Sequence, residues 1–302
     1  MSRIAYFGPQ GTFTEQAART FGEATLVPVE TVPLVLAAVR AGEVDAGCVP
    51  VENSVEGAVT ATMDSLAEDS PLVAVAEALL PVRFSILVRE GVKHEDIKTV
   101  ASHPHALAQV RDWVATNLPN AVPVATTSTA SAAVHVHDGE FDAAVSAPVA
   151  VLHYPLVELA TDVADVDNAV TRFLLLRRPG KPPEPTGTDR TSLFVVIAHD
   201  EPGSLAGTLS ELALRGINLS RIESRPMRGR FGEYRFYLDF DGHVSEPRIA
   251  DALAALHRNS REVRFLGSYP KADRTLSAAP PRSTASDYTA ALDWVAKVQE
   301  GL

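Results

Sequence analysis

The chain has 302 residues, 46% of them hydrophobic and 22% charged, which is ordinary globular composition with enough apolar material for about two domains. Thirty-eight acidic residues against 27 basic ones give a formal net charge of -11, and the sequence shows neither the basic excess nor the basic stripe by which a nucleic-acid surface usually announces itself. An anionic ligand therefore has to be held by a local cluster of Arg, hydroxyl and backbone N–H groups.

Residues 3–7 read as a short buried strand. Gly8-Pro9-Gln10-Gly11-Thr12-Phe13-Thr14 follows it and opens a helix over 14–21, with Ala17, Ala18 and Phe21 inward. Glycines let such a turn approach a ligand, and the helix N-terminus offers free N–H groups. A plain strand-to-helix turn capped by Thr14 stays open as the alternative. A helix over 32–41 closes at Gly42, and a strand over 46–50 holds Cys48, the single cysteine. No intrachain disulfide is possible, which fits a reducing cytoplasm, and the apolar setting makes Cys48 a packing residue. The amino terminus shows no signal-peptide pattern, so a cytoplasmic protein is expected. Glu52-Asn53-Ser54-Val55-Glu56-Gly57 comes next. Asn53 and Ser54 can bond a carboxylate or hydroxyl, and Glu52 and Glu56 are candidate acids or acceptors, with simple turn formation as the alternative.

Strands are expected over 72–79 and 83–89. Ser102-His103-Pro104-His105 leads into a helix over 106–118, with Ser102 expected to cap it and face a cleft. The pairs His103/His105 and His135/His137 lack a third ligand at a recognisable spacing, so no metal is expected. After a strand over 122–126, Thr126-Thr127-Ser128-Thr129 places four hydroxyls before a helix over 129–138. Capping uses one and leaves the others for a ligand, with a polar loop of no function as the alternative. A strand over 143–146 follows. The apolar stretch 144–164 is interrupted by Pro148, His153, Pro155, Glu158 and Asp162, so it does not span a bilayer.

Thr171-Arg172-Phe173 then enters the apolar run 173–176. A Thr hydroxyl both donates and accepts a hydrogen bond, and a guanidinium can clamp a carboxylate with two bonds. This is equipment for holding a small organic acid and delivering a proton. The same trio also suits a half-buried strand edge, and Arg172 suits a structural role as well as a cleft role. Short strands alternating with helices predict an α/β region with largely parallel sheets, whose strand-end loops converge on a binding site.

Residues 179–187 read Pro-Gly-Lys-Pro-Pro-Glu-Pro-Thr-Gly and make a stiff spacer. Beyond it, strands over 192–198, 219–224, 233–240 and 263–269 and helices over 204–215 and 247–258 give the ferredoxin-like order βαββαβ. One face or edge of that sheet is left for another copy. Tyr288, Ala291, Leu292, Val295 and Val298 recur at helical spacing, which predicts a tail helix over 286–300 that needs a surface.

Four strings together resemble the prephenate dehydratase family of phenylalanine biosynthesis: Gly8-Pro9-Gln10-Gly11-Thr12-Phe13, Glu52-Asn53-Ser54-Val55-Glu56-Gly57, Ser102-His103-Pro104-His105-Ala106-Leu107-Ala108-Gln109 and Thr171-Arg172-Phe173. The carboxy-terminal region is similar to an ACT regulatory domain through Glu201-Pro202-Gly203-Ser204-Leu205 and Asn218 with Glu223-Ser224-Arg225-Pro226. The family usually has Gln at His105 and Ala at Ser204. The resemblance implies a two-lobed, type II periplasmic-binding-protein-like α/β catalytic domain (1–178), a linker (179–190), an ACT domain (191–270) and a tail (271–302). It implies a carbon–oxygen lyase that converts prephenate to phenylpyruvate, water and carbon dioxide without metal or cofactor. Thr171, with Arg172 and Phe173, would be catalytic. Thr12, Phe13, Asn53, Ser54, Glu56, Ser102, Thr127 and Ser128 would bind substrate. Phenylalanine would act as effector at Gly203, Ser204, Leu205, Asn218, Glu223, Ser224, Arg225 and Pro226, in a homodimer or homotetramer. The alternatives are an arogenate dehydratase and a non-catalytic amino-acid sensor.

Overall fold

The computed structural model describes residues 2–68, 70–165, 169–198, 201–227, 229–230, 232–276 and 279–301. The chain divides into two compact units, Met1–Ser70 with Ala78–Arg178, and Pro71–Glu77 with Pro179–Leu302.

The first unit opens with β1 (Arg3–Phe7), α1 (Phe13–Arg19), β2 (Thr25–Val29), α2 (Val32–Ala41), β3 (Ala46–Asn53), β4 (Gly57–Ala58), α3 (Thr60–Leu66) and β5 (Val73–Pro81). A second run gives β6 (Ser85–Val88), β7 (Thr99–Ser102), α4 (Pro104–Gln109), α5 (Arg111–Asn117), β8 (Val122–Ala125), α6 (Thr129–His137), β9 (Ala143–Ser146) and β10 (Val157–Ala160). The chain then returns to the first sheet through β11 (Val170–Arg177). The two sheets have strand orders β2-β1-β3-β11-β5 and β10-β6-β9-β7-β8, and each is the floor of one lobe.

These sheets are mixed, not largely parallel. β1 runs parallel to β2 and β3, and β7 runs parallel to β8 and β9, but β11 is antiparallel to β3 and β6 is antiparallel to β9 and β10. The cause is the chain path. It leaves the first sheet after Pro81 and re-enters it at Val170, so the returning strand travels in the opposite sense. The two crossings are tied by a hydrogen bond from Val82 N to Ala169 O at 2.7 Å.

Periodicity explains most elements, and specific side chains explain their ends. α1 starts earlier than expected, because Thr12 and not Thr14 is its cap, accepting from Glu15 N. The helix expected over 106–118 is broken at Val110 into α4 and α5. Asp165 makes the break. Its N–H bonds Gln109 O, and its carboxylate accepts the Asp112 and Trp113 N–H groups at 2.9 Å each, so α5 is capped from a distant segment. Cys48 is fully buried with its thiol directed at Thr14 O, and burial pushes that thiol well above its ordinary pKa. That is the signature of a packing cysteine.

The second unit contains β12 (Asp189–Ile197), α7 (Ser204–Ala213), β13 (Leu219–Pro226), β14 (Tyr234–Asp241), α8 (Pro247–Asn259) and β15 (Ser260–Pro270), followed by α9 (Ala285–Glu300). Its sheet order is β13-β14-β12-β15, antiparallel throughout. Leu193, Val195, Leu212, Leu238, Phe240, Ile249 and Leu256 form its core between sheet and helices. Residues 71–77 belong here although they lie far upstream. Ala74 packs under Gly267, and the fully buried carboxylate of Glu77 pairs with Arg190 at 2.6 Å and accepts Ala272 N at 3.0 Å. The strand expected over 219–224 runs on to Pro226, so Glu223–Pro226 lies on β13, the edge strand. α9 has no buried residue, and Leu292 and Trp294 stay more than half exposed.

Candidate functional site

β3 and β11 run side by side with Thr171 opposite Asn53 and Arg172 opposite Glu52. Antiparallel pairing thus joins two segments 118 residues apart into one polar group. The Asn53 amide has a determined orientation. Its Oδ1 accepts the N–H groups of Val55 (2.8 Å) and Glu56 (3.1 Å), which closes the turn after β3. Its Nδ2 therefore faces Thr171 and donates to Oγ1 at 2.8 Å. The Thr171 hydroxyl is an acceptor in that bond and keeps its own proton for donation. Ser54 holds the same corner: its N–H bonds Val170 O and its Oγ accepts Val170 N, both at 2.9 Å.

Arg172 is 6% exposed and its guanidinium lies 3.9 Å from the Glu52 carboxylate. Phe173 is 1% exposed and packs in the core of the first lobe. A register shift between Arg172 and Phe173 separates the polar end of β11 from its apolar body.

The other expected residues surround this corner unevenly. Thr12 spends its hydroxyl on the helix start, donating to Phe7 O at 3.2 Å while accepting Glu15 N. Phe13 reaches the second lobe and meets Phe84 edge-to-face at 5.5 Å. Ser102 is fully buried at the end of β7 and donates to Val145 O at 2.6 Å. It is not the cap of α4; His103 is, accepting His105 N through Nδ1. Burial and the neighbouring His105 lower the His103 pKa against the pull of Glu56, which keeps the imidazole neutral for that role. Ser128 caps α6 and Thr126 bonds Ser128 O, so of this hydroxyl cluster Thr127 is the exposed one with no side-chain bond. Glu56 joins the two lobes at the rim: Oε2 lies 2.6 Å from His105 Nδ1 and Oε1 lies 3.4 Å from Gln109 Nε2.

Sequence reasoning missed a second group. Glu15, on the first turn of α1, is buried and bonds Gly11 N, Arg19 and His153 Nε2. The signal in the chain was Thr12-x-x-Glu15, a capping-box spacing, but nothing local pointed to His153. Burial alone would raise the Glu15 carboxyl. The Gly11 N–H, Arg19 and His153 outweigh it and hold the group below the usual carboxylate range. Asp142 is lowered in the same way, with burial outweighed by the Lys98 and Thr99 N–H groups and the Thr99 hydroxyl. A carboxylate depressed in the folded state contributes stability that is complete above its unfolded pKa and lost as pH falls through its folded one. Urea midpoints should therefore fall on acidification from neutrality to about pH 3, and Glu15→Gln should flatten that profile. An unchanged slope in the variant would contradict the depressed carboxylate.

In the second unit, Gly203 (φ +91°) precedes α7, whose first residues are Ser204 and Leu205. Asn218 stands before β13 and donates from Nδ2 to Asp241 Oδ2 at 3.0 Å; Asp241 in turn pairs with the buried Lys271 at 3.2 Å. Among the described residues no cluster of His, Cys, Asp and Glu is arranged to hold a metal, and no helix is long and apolar enough to cross a membrane.

Two α/β lobes with a hydrogen-bonded Asn–Thr pair at a strand corner, in a chain that also carries a βαββαβ unit, define a two-lobed α/β protein with a ferredoxin-like second unit. The prephenate dehydratase family model matches residues 4–181, the ACT domain model matches residues 191–258, and the chain belongs to the prephenate dehydratase family. It is 64% identical over 304 residues to a prephenate dehydratase of Amycolatopsis methanolica, covering 100% of this chain and 99% of that protein. A prephenate dehydratase of Mycolicibacterium gilvum is 46% identical over 314 residues, with 100% and 99% coverage. Among solved structures, prephenate dehydratase from Arthrobacter aurescens in complex with L-Phe matches with TM-score 0.93 and 46% identity over 99% of this chain and 100% of that chain. GqqA, described as a quorum-quenching acylase, matches with TM-score 0.81 and 32% identity over 89% and 98%.

Proposed function

We propose that this chain dehydrates and decarboxylates prephenate to phenylpyruvate under feedback control by phenylalanine. Because a protein described as an acylase shares the fold, the fold alone does not carry the chemistry. The observation that carries it is the Asn53–Thr171 hydrogen bond, which leaves the threonine proton free and stabilises negative charge as it develops on Oγ1.

In the proposed step the ring C–O bond breaks, and the leaving oxygen takes the proton of Thr171 and departs as water. The bond from the ring to its carboxylate breaks, carbon dioxide leaves, and that electron pair completes the aromatic ring. Solvent returns a proton to Thr171. Aromatisation drives the reaction, so the protein has to orient the substrate and place one proton. A cation locked on the departing carboxylate would stabilise the reactant and slow the step. Arg172, buried beside Glu52, is read instead as a fixed positive charge for the persistent pyruvyl carboxylate or for the strand pair itself. Thr12, Phe13, Asn53, Ser54, Glu56, Ser102, Thr127 and Ser128 are proposed to line the substrate, with Thr127 offering the uncommitted hydroxyl.

Phenylalanine is proposed to bind the second unit through Gly203, Ser204, Leu205, Asn218 and the β13 segment Glu223–Pro226. The ACT match and the L-Phe complex of the Arthrobacter relative support this. β13 is an edge strand, so pairing through it with a second copy would give a homodimer or tetramer. The single cysteine, buried and unpaired, supports a cytoplasmic location.

The test is phenylpyruvate formation by purified protein from prephenate, with arogenate in parallel and phenylalanine present or absent. Turnover of prephenate that changes with phenylalanine is the expected result. Preference for arogenate would keep the mechanism and replace the substrate. Phenylalanine binding without turnover of either would make the chain a sensor.

A further inference from the structure

Glu15 has no part in the proton transfer just described, yet its side chain is only 2% exposed and several donors converge on it. Its Oε2 accepts Gly11 N at 2.7 Å. Its Oε1 accepts Arg19 Nε at 3.0 Å and His153 Nε2 at 2.8 Å. Burial and the Glu15 charge push the Tyr6 phenol well above its ordinary pKa, so it stays neutral beside the carboxylate. An ionised carboxylate is tolerated at this depth only when it is paired and fully hydrogen-bonded.

The donors come from separate places: the loop before α1, α1 itself, and the segment after the short helical turn Pro148–Leu152 of the second lobe. A second contact joins the same two segments. Gly11 has φ +83°, and a Cβ there would stand 3.1 Å from Ala150 Cα. The loop is thus held against the second lobe twice, by packing at Gly11 and by the carboxylate–imidazole contact at Glu15. Thr12 and Phe13 follow immediately. A pocket of about 370 Å³ opens beside the carboxylate and is lined by Tyr6, Gln10, Arg19, Glu23 and His153 among others, and by none of the residues proposed to touch substrate.

We infer that Glu15 is a positioning residue for the reaction, clamping the Gly11–Phe13 loop to the second lobe through Gly11 N–H and His153. The inference rests on the proposed placement of substrate against that loop. Displacing a substrate-contacting loop by a fraction of an ångström degrades reactive geometry more than binding. Glu15 also pairs with Arg19 within α1, but of its side-chain partners His153 is the one that bridges to the other lobe, so the histidine separates the clamp from simple helix stability.

The experiment compares Glu15→Gln, His153→Phe and His153→Gln in the full chain, by steady-state kinetics on prephenate and by amide exchange of residues 8–13. Glu15→Gln should lower kcat at least about tenfold, more than it raises KM, and should speed exchange in the loop. His153→Phe should do likewise, and His153→Gln, which keeps a neutral donor, should restore most of the turnover. The double variant Glu15→Gln/His153→Phe should be no worse than Glu15→Gln alone, because both act through one contact. Wild-type kcat in folded Glu15→Gln, or equal loss in the Phe and Gln variants of His153, would overturn the inference. A wild-type protein inactive on prephenate would remove the functional reading, and unchanged loop exchange in Glu15→Gln would still overturn the clamp by itself.

Discussion

Thr171→Ala is expected to lower kcat by about 10² to 10⁴-fold, the range for loss of a placed proton donor, while the folded state and substrate affinity are largely kept. The variant removes the hydroxyl that Asn53 holds and leaves the Asn53 Nδ2 without its acceptor. Thr171→Ser should recover part of the rate, because the donor returns without the methyl that limits its rotamers. Asn53→Ala should fall between them in effect. It removes the bond that stabilises charge on Oγ1, and it also opens the turn closed by Val55 N and Glu56 N. Steady-state kinetics with circular dichroism as a folding control would check all three. Wild-type kcat in Thr171→Ala would end the assignment of that hydroxyl.

Gly267→Ala is expected to give the largest loss of stability of any small substitution in the second unit, more than about 4 kcal/mol. Gly267 has φ +135°, and a Cβ built there would lie 2.3 Å from Ala74 O and 2.9 Å from Ala74 N. Both obstacles are backbone, so no side-chain rotation relieves the overlap. Either β15 shifts or residues 71–77 leave the unit. The second outcome would strip Glu77 from Arg190 and leave a buried guanidinium without its carboxylate, a change of roughly 3–5 kcal/mol on its own. Thermal unfolding followed by near-ultraviolet signals would measure it. A midpoint within a few degrees of wild type would mean that the strand and Gly267 are not in this tight register.

These two positions show what kind of information each level holds. Thr171-Arg172-Phe173 stood out in the sequence because a hydroxyl, a cation and an aromatic ring open an apolar run, and the match with three other strings gave it a family context. Nothing local stated that Asn53, 118 residues earlier, would supply its hydrogen bond. Likewise, Gly267 read as one more residue of a strand, and Ala74 as one of an upstream strand. Ser102 looked like a cap, but its hydroxyl found Val145 O across the sheet, a partner set by strand pairing. The helix break at Val110 had no breaker residue to announce it; a carboxylate from Asp165 made it.

Local pattern was enough for the order of strands and helices in the second unit, for most of those in the first apart from β2, β4, α3 and β10, for the Pro-rich segment 179–187, and for the polar strings at strand ends, because helix and strand periods and turn residues are local properties. Tertiary structure alone decided that β11 returns antiparallel to β3, that residues 71–77 join the second unit, and that His153 meets Glu15. Those outcomes depend on which distant surfaces bury one another and which buried polar groups need partners. Neither condition is encoded in any single window of the chain.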